Sequence, residues 1–228
     1  MTAILPDVVD TRCGDVGEGL YYGLHGEALM SVKPEKVTID ELLGPLNSVE
    51  RKHAPAALFV SGDKGLCRDF ARVSVIGTRE PSSEGIKRTQ AVVRMLTEKR
   101  VVVVSGLARG VDACAHLTAI ECGGRTIAVL GTPLDIAYPK ENGELQRLIM
   151  TKHLAVSQFP SGYAVQPKNF AIRNRTMALL SHATVIIEAG ESSGTLHQGW
   201  EALRLGRPLF LMESLTKRKD LKWPGEML

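Results

Sequence analysis

Aromatic residues are scarce in this chain, at 5% of 228 residues. Set beside 22 glycines, that scarcity suits tight strand-to-helix turns better than a β-sandwich core. Cysteine is sparse too. Cys13, Cys67, Cys114 and Cys122 form no C-x-x-C pair, which excludes a zinc knuckle and a thioredoxin-type redox site. They read as small buried hydrophobes in a reducing cytosol. No run approaches the ~18 apolar residues of a membrane span. MTAILPDVVD lacks the basic start and apolar centre of a signal peptide. A cytoplasmic protein with no membrane partner is expected, with no cofactor and no metal. Neither sign of charge dominates: 28 Lys and Arg stand against 25 Asp and Glu. Net charge alone therefore marks no polyanion binder, and the placement of the cations must decide.

What the chain does have is a repeated theme. Residues 1–54 are irregular, with a Gly44-Pro45 turn, and read as an N-terminal extension. From residue 73 to 212 a β-branched run, a Gly-rich turn and a helical pattern recur. The strand candidates are 73–77, 101–106, 126–131, 154–159, 184–190 and 208–212. Several are almost wholly apolar, as strands covered on both faces are. Helix candidates fall between them at 83–98, 109–122, 141–151, 169–182 and 194–205. The pattern predicts an α/β fold with a doubly wound, mostly parallel sheet and helices on both faces. Ligands in such folds bind beyond the carboxyl ends of the strands.

Those ends carry the informative residues. Gly77 permits a close turn, and Arg79 places a cation at the expected ligand edge. Ser82 or Ser83 caps the next helix. Ser105-Gly106-Leu107-Ala108-Arg109-Gly110 turns backbone N–H groups toward an anion, although it is not G-x-G-x-x-G. No G-x-x-x-x-G-K-[ST] occurs, so a P-loop is unsupported. Asp112 and His116 share a helix face and read as a hydrogen-bonded pair that fixes this loop. Tyr138 and Lys140 offer a stacking face and a phosphate contact. Lys168, Arg173 and Arg175 form the most basic stretch, beside Phe170 and Tyr163. With Asn169 as helix cap, both arginines oppose the helix dipole at about 0.3–1 kcal/mol each, an arrangement that suits an anion held between them. Ser193-Gly194 opens another nest of donors.

The ordered motifs VSVIGTREPS, SGLARGVDACAH, LDIAYPKEN, NFAIRNRTMALLS and ATVIIEAGESSGTL resemble the Rossmann-like domain of the DprA/Smf family of DNA-processing proteins. The likeness runs over about residues 55–213, leaving 214–228 as a basic C-terminal tail. No winged-helix domain is expected before Leu228. The resemblance implies single-stranded DNA binding, homodimerisation and loading of a RecA-type recombinase in natural transformation, with no catalytic residue. It implies DNA or phosphate contacts at Gly77 and Arg79, at Ser105, Gly106, Arg109 and Gly110, and at Lys140 and Asn142. It implies the same for Arg173, Asn174 and Arg175, and for Ser193 and Gly194. Lys168 and Asn169 join them on the reading of the basic stretch. Two alternatives share this edge. One is a nucleotide-ligand sensor. The other is a LOG-like nucleotide phosphoribohydrolase, with Arg173 and Met177 at one motif spacing. At its second motif Gln198 stands where the catalytic Glu belongs, and an amide cannot serve as general base. Glu201, one helical turn on, is the substitute to consider. The DNA-binding reading requires Arg79, Lys140, Arg173 and Arg175 to gather at one rim of the sheet.

Overall fold

The six apolar runs become strands because both of their faces are covered. In the computed structural model, which describes residues 1–7 and 34–228, they are β4 (Arg72–Ile76), β5 (Val102–Ser105), β6 (Thr126–Leu130), β7 (Leu154–Ser157), β8 (Ala183–Ile186) and β9 (Leu209–Met212). Along β6, Ile127 and Val129 join one core cluster and Ala128 and Leu130 the other. Period-two alternation thus sends apolar side chains to both faces. All but the last run, whose strand ends at Met212 as expected, stop short of their expected ends. Gly77, Gly106 and Gly131 have already left the ladder, and so has the whole of 187–190. These residues turn away at the carboxyl edge, where folds of this kind bind their ligands.

Three more strands complete the sheet: β1 (Thr2–Leu5), β2 (Glu35–Val37) and β3 (Leu58–Gly62). Among the described residues the order is β1-β9-β8-β4-β5-β6-β7-β3-β2. Pairing is parallel from β1 through β7, with Thr2 opposite Leu209 and Val73 between Ala183 and Val103. Only β3 runs against β7, and β2 against β3. The fold is the expected mostly parallel α/β sheet.

The main helices are α3 (Ser83–Glu98), α4 (Val111–Glu121), α5 (Gly143–Lys152), α6 (Pro167–Leu180) and α7 (Thr195–Arg204). Short ones are α1 (Ile39–Leu43), α2 (Ser48–Arg51), α8 (Glu213–Thr216) and α9 (Trp223–Met227). Ser82 caps α3, its side chain accepting from the Gly85 N–H. Right-handed crossovers place α3, α4 and α5 on one face and α6 and α7 on the other. The chain reverses direction across the sheet between β7 and β8, so β4 and β8 flank the switch point.

Two expectations at the ends are corrected. Within 1–54 the described residues are not an irregular extension, because β1 and β2 are strands of the same sheet. Residues 214–228 are more than a basic tail. Leu215, Leu221, Trp223 and Met227 are buried in the larger core cluster, and the Thr2 hydroxyl donates to the Met227 carbonyl at 2.5 Å. Its charged side chains face water, with Lys217 held by Glu213 and Arg218 by Asp220.

Burial pushes the Cys67 thiol up to about 12 and the Cys114 thiol up to about 11, so both stay protonated and unreactive. Cys13 lies outside the described residues. No helix among them is long and apolar enough to cross a membrane.

Candidate functional site

Beyond the carboxyl ends of β8, β4, β5 and β6 the turns enclose two adjoining cavities. One, of about 660 Å³, is lined by Arg79, Gly106, Arg109, Tyr138, Lys140, Glu141, Phe170 and Arg173 among others. The second, of about 620 Å³, is lined by Gly77, Arg79, Asp112, Phe170, Arg173, Asn174, Ser193, Gly194, His197 and Gln198 among others. Arg79, Ala108, Phe170 and Arg173 belong to both. The cavities are therefore two lobes of one trough at the switch point.

The loop after β5 shapes its floor. Ser105 donates its buried hydroxyl to the Val75 carbonyl at 2.7 Å, tying the strand ends together. Leu107 is fully buried and sits at φ +57, a left-handed conformation that a leucine rarely takes. The Asn142 amide holds it there, donating to the Leu107 carbonyl at 2.9 Å and to that of Ala108 at 3.2 Å. Gly110 ends the loop at φ +73, and a Cβ there would lie 2.5 Å from the Thr78 carbonyl oxygen.

Arg173 comes up from α6 into this loop. Its Nη1 lies 3.9 Å from Asp112 Oδ2 and donates to the Val129 carbonyl at 3.3 Å. Gly106 supplies the room, since a Cβ there would sit 1.2 Å from that nitrogen. Burial pushes the Asp112 carboxyl pKa up against the pull of Arg173. Burial also lowers that of Arg173, and the nearby charge of Arg79 adds to the effect. A guanidinium nevertheless stays protonated in water-accessible proteins at ordinary pH. Above the floor, the Tyr138 and Phe170 rings lie 5.2 Å apart at 43°.

Nine of the expected residues line the trough: Gly77, Arg79, Gly106, Arg109, Lys140, Arg173, Asn174, Ser193 and Gly194. Arg109 reaches it already paired with Glu141. Ser105, Gly110 and Asn142 build the loops without lining either lobe. Arg175 is corrected: it lines neither lobe and donates from Nε to Glu201 at 3.1 Å. Lys168 is exposed outside both. The physical reason is helical period. Pro167, Phe170, Ala171, Asn174 and Met177 mark the face of α6 that meets the trough, while Lys168 and Arg175, seven apart, share an outward face. Asn169 is not the cap, because Pro167 opens the helix and Gln166 takes the capping position. Its amide instead donates to the Ala164 carbonyl at 3.2 Å.

The expected Asp112–His116 pair is not formed. Asp112 fixes the loop together with Asn142 and without the histidine, accepting from the Ala108 N–H at 3.3 Å. His116 is a core residue whose Nδ1 meets the Thr126 hydroxyl at 2.6 Å, and burial pushes its pKa down to about 3. Sequence reasoning overlooked His197 as a lining residue. Its place in the first turn of α7, directly after the Ser-Gly turn, was the available signal. Gln198 is buried beside it. In the amide orientation that its neighbours satisfy, it donates to the Asn174 carbonyl and accepts from the Ala178 N–H at 3.1 Å.

Residues 37–224 match the family model described as DNA recombination-mediator protein A. The chain is 40% identical to DNA processing protein DprA of Streptococcus pneumoniae over 166 residues, covering 73% of this chain and 58% of that one. It is 33% identical to the Bacillus subtilis protein of the same name over 156 residues, covering 68% and 52%. It thus spans little more than half the length of these relatives. Its fold resembles a solved structure of DNA processing protein A from Helicobacter pylori, described for that protein's single-stranded DNA binding mode. The TM-score is 0.73 at 27% identity, covering 86% of each chain.

Proposed function

The chain belongs to the DNA recombination-mediator protein A family, and from that premise we propose that its trough binds single-stranded DNA. A single strand offers phosphates and unpaired bases. It is held by cations that track the backbone and rings on which bases stack. The observation that carries the reading is the meeting of Arg79 and Lys140 with the Tyr138–Phe170 ring pair in one cavity. Neither cation has an ion-pair partner among the described residues. Gly77, Ser193 and Gly194 add turns whose backbone can approach a phosphate closely.

The proposed role is binding without catalysis. The Gln198 amide is engaged with the backbone of α6, and Glu201 is held by Arg175 at 3.1 Å and Arg204 at 2.7 Å. No carboxylate at the position of a phosphoribohydrolase base is thereby offered to the trough from α7. The proposed setting is DNA processing and recombination in the cytoplasm, with a RecA-type recombinase and a second copy of this chain as protein partners. Trp200, 43% exposed on α7, is the residue to probe for self-association.

Fluorescence anisotropy with oligonucleotides of increasing length, at two salt concentrations, tests the reading. Affinity is expected to rise with length, to show little sequence preference and to fall steeply with salt. Binding of mononucleotides with no gain on lengthening would overturn it in favour of a nucleotide sensor.

A further inference from the structure

Arg173, which lines both lobes, forms a buried ion pair with Asp112, which lines the second. The side chains of Asp112 and Arg173 are 9% and 7% exposed. Asp112 Oδ2 lies 3.9 Å from Arg173 Nη1 and also accepts from the Ala108 N–H at 3.3 Å. One carboxylate thus ties the arginine to the loop that frames the trough. Arg173 Nε is buried and has no hydrogen-bond partner among the described residues. The guanidinium therefore keeps an unused donor while its charge is matched by the nearest carboxylate. Arg79 and Lys140, which line the same trough, face no such match among the described residues.

We propose that Asp112 is a positioning residue that sets Arg173 in the floor and cancels its charge toward the ligand. Arg173 then supplies hydrogen bonds, while Arg79 and Lys140 neutralise phosphates. The inference rests on the single-stranded DNA reading of the same trough. It divides that site into a charge-neutral floor and a charged rim.

Counterion release separates charge from fit, because each phosphate neutralised on a single strand adds about 0.7 to the steepness of log K against log salt. The full chain is titrated with an oligothymidylate over a range of salt. Failure of the unaltered protein to bind would overturn the DNA reading and this inference with it. Where it binds, Asp112→Asn keeps the shape and an acceptor for Ala108 but frees the charge of Arg173. The slope is expected to steepen by about 0.7. An unchanged slope in the folded variant overturns the inference and leaves DNA binding standing.

A merely structural Asp112 would lower thermal stability without moving the slope. Should Asp112→Asn fail to fold by circular dichroism, the doubly neutral Asp112→Asn/Arg173→Gln variant carries the test. It is expected to bind more weakly with the original slope. A slope shallower by about 0.7 would show that Arg173 already neutralises a phosphate, and would overturn the proposal.

Discussion

The trough has a counterpart at the amino ends of the strands. There a cleft of about 420 Å³ is lined by Phe70, Thr97, Arg100, Val101, Gly123, Gly124 and Arg125. Both places bring arginines beside an aromatic ring. They differ in which helix ends face them. The far cleft lies between the last turns of α3 and α4, where backbone carbonyls point outward and cations are at home. Arg125 is also placed over the Phe70 ring, 4.2 Å from its centroid. The trough instead meets the first turns of α6 and α7, where N–H groups point outward and cations are out of place. Arg173 is there matched by Asp112, while Arg79 and Lys140 have no ion-pair partner among the described residues, which is what the proposed ligand would supply. The same residue types thus stabilise the fold at one edge and, on the proposed reading, serve binding at the other.

The largest expected effect concerns the core between the two edges. His116 is held neutral by burial, with a pKa near 3 against an ordinary 6.5. Below 6.5 the unfolded chain takes up a proton that the folded chain refuses. Stability is therefore expected to fall as pH drops from about 6.5 toward 3, by up to on the order of 4 kcal/mol. Burial lowers the His153 pKa in the same direction, and the charge of Arg125 adds to it. Urea unfolding across this window measures the loss. Arginines at both edges keep their charge throughout, while the raised Asp112 pKa opposes part of the loss; a flat profile in Asp112→Asn would therefore place the fault with the buried imidazole.

Next comes a change confined to the trough. Gly106→Ala forces a Cβ onto Arg173 Nη1 and should cost about 1–3 kcal/mol of stability. Oligonucleotide affinity should fall with it. An enlargement at Gly123, in the far cleft, should leave affinity unchanged. Equal losses of affinity at both would erase the distinction between the edges.

The smallest effects sharpen it most. Arg79→Ala is expected to weaken oligonucleotide binding about tenfold and to reduce the salt slope by about 0.7. Arg100→Gly should leave both untouched. Arg100 sits at φ +57 just beyond the end of α3, where glycine is the favoured residue. Its replacement should raise stability by up to about 1 kcal/mol, read from thermal unfolding. A binding defect in Arg100→Gly would make the far cleft part of the DNA path.

Much of this was legible in the sequence where the signal is local. The span of α3 is foretold by Ser82 and the apolar spacing behind it, and the centres of β4 to β9 by their apolar runs. Long-range pairing was not legible. Thr2–Leu5 is too short to show a pattern, and its partner β9 lies some two hundred residues away in sequence. Trp223 and Met227 look like tail residues until the core is assembled around them. In the site, motif order located the cations, but motif order ignores helical phase. Arg173 and Arg175 are two apart on α6, so only one can turn inward. Asp112 and Glu141 went unweighed as ion-pair partners of the arginines, because a charge pair between distant segments leaves no spacing to read.

The face of α6 that runs from Pro167 to Met177 is a party wall between the two lobes. Phe170 and Arg173 stand on it and are shared by both compartments. Any tilt of this single rod that widens one chamber must reshape the other at the same moment. Neighbouring segments of one bound strand would then feel each other through the protein as well as along their own backbone.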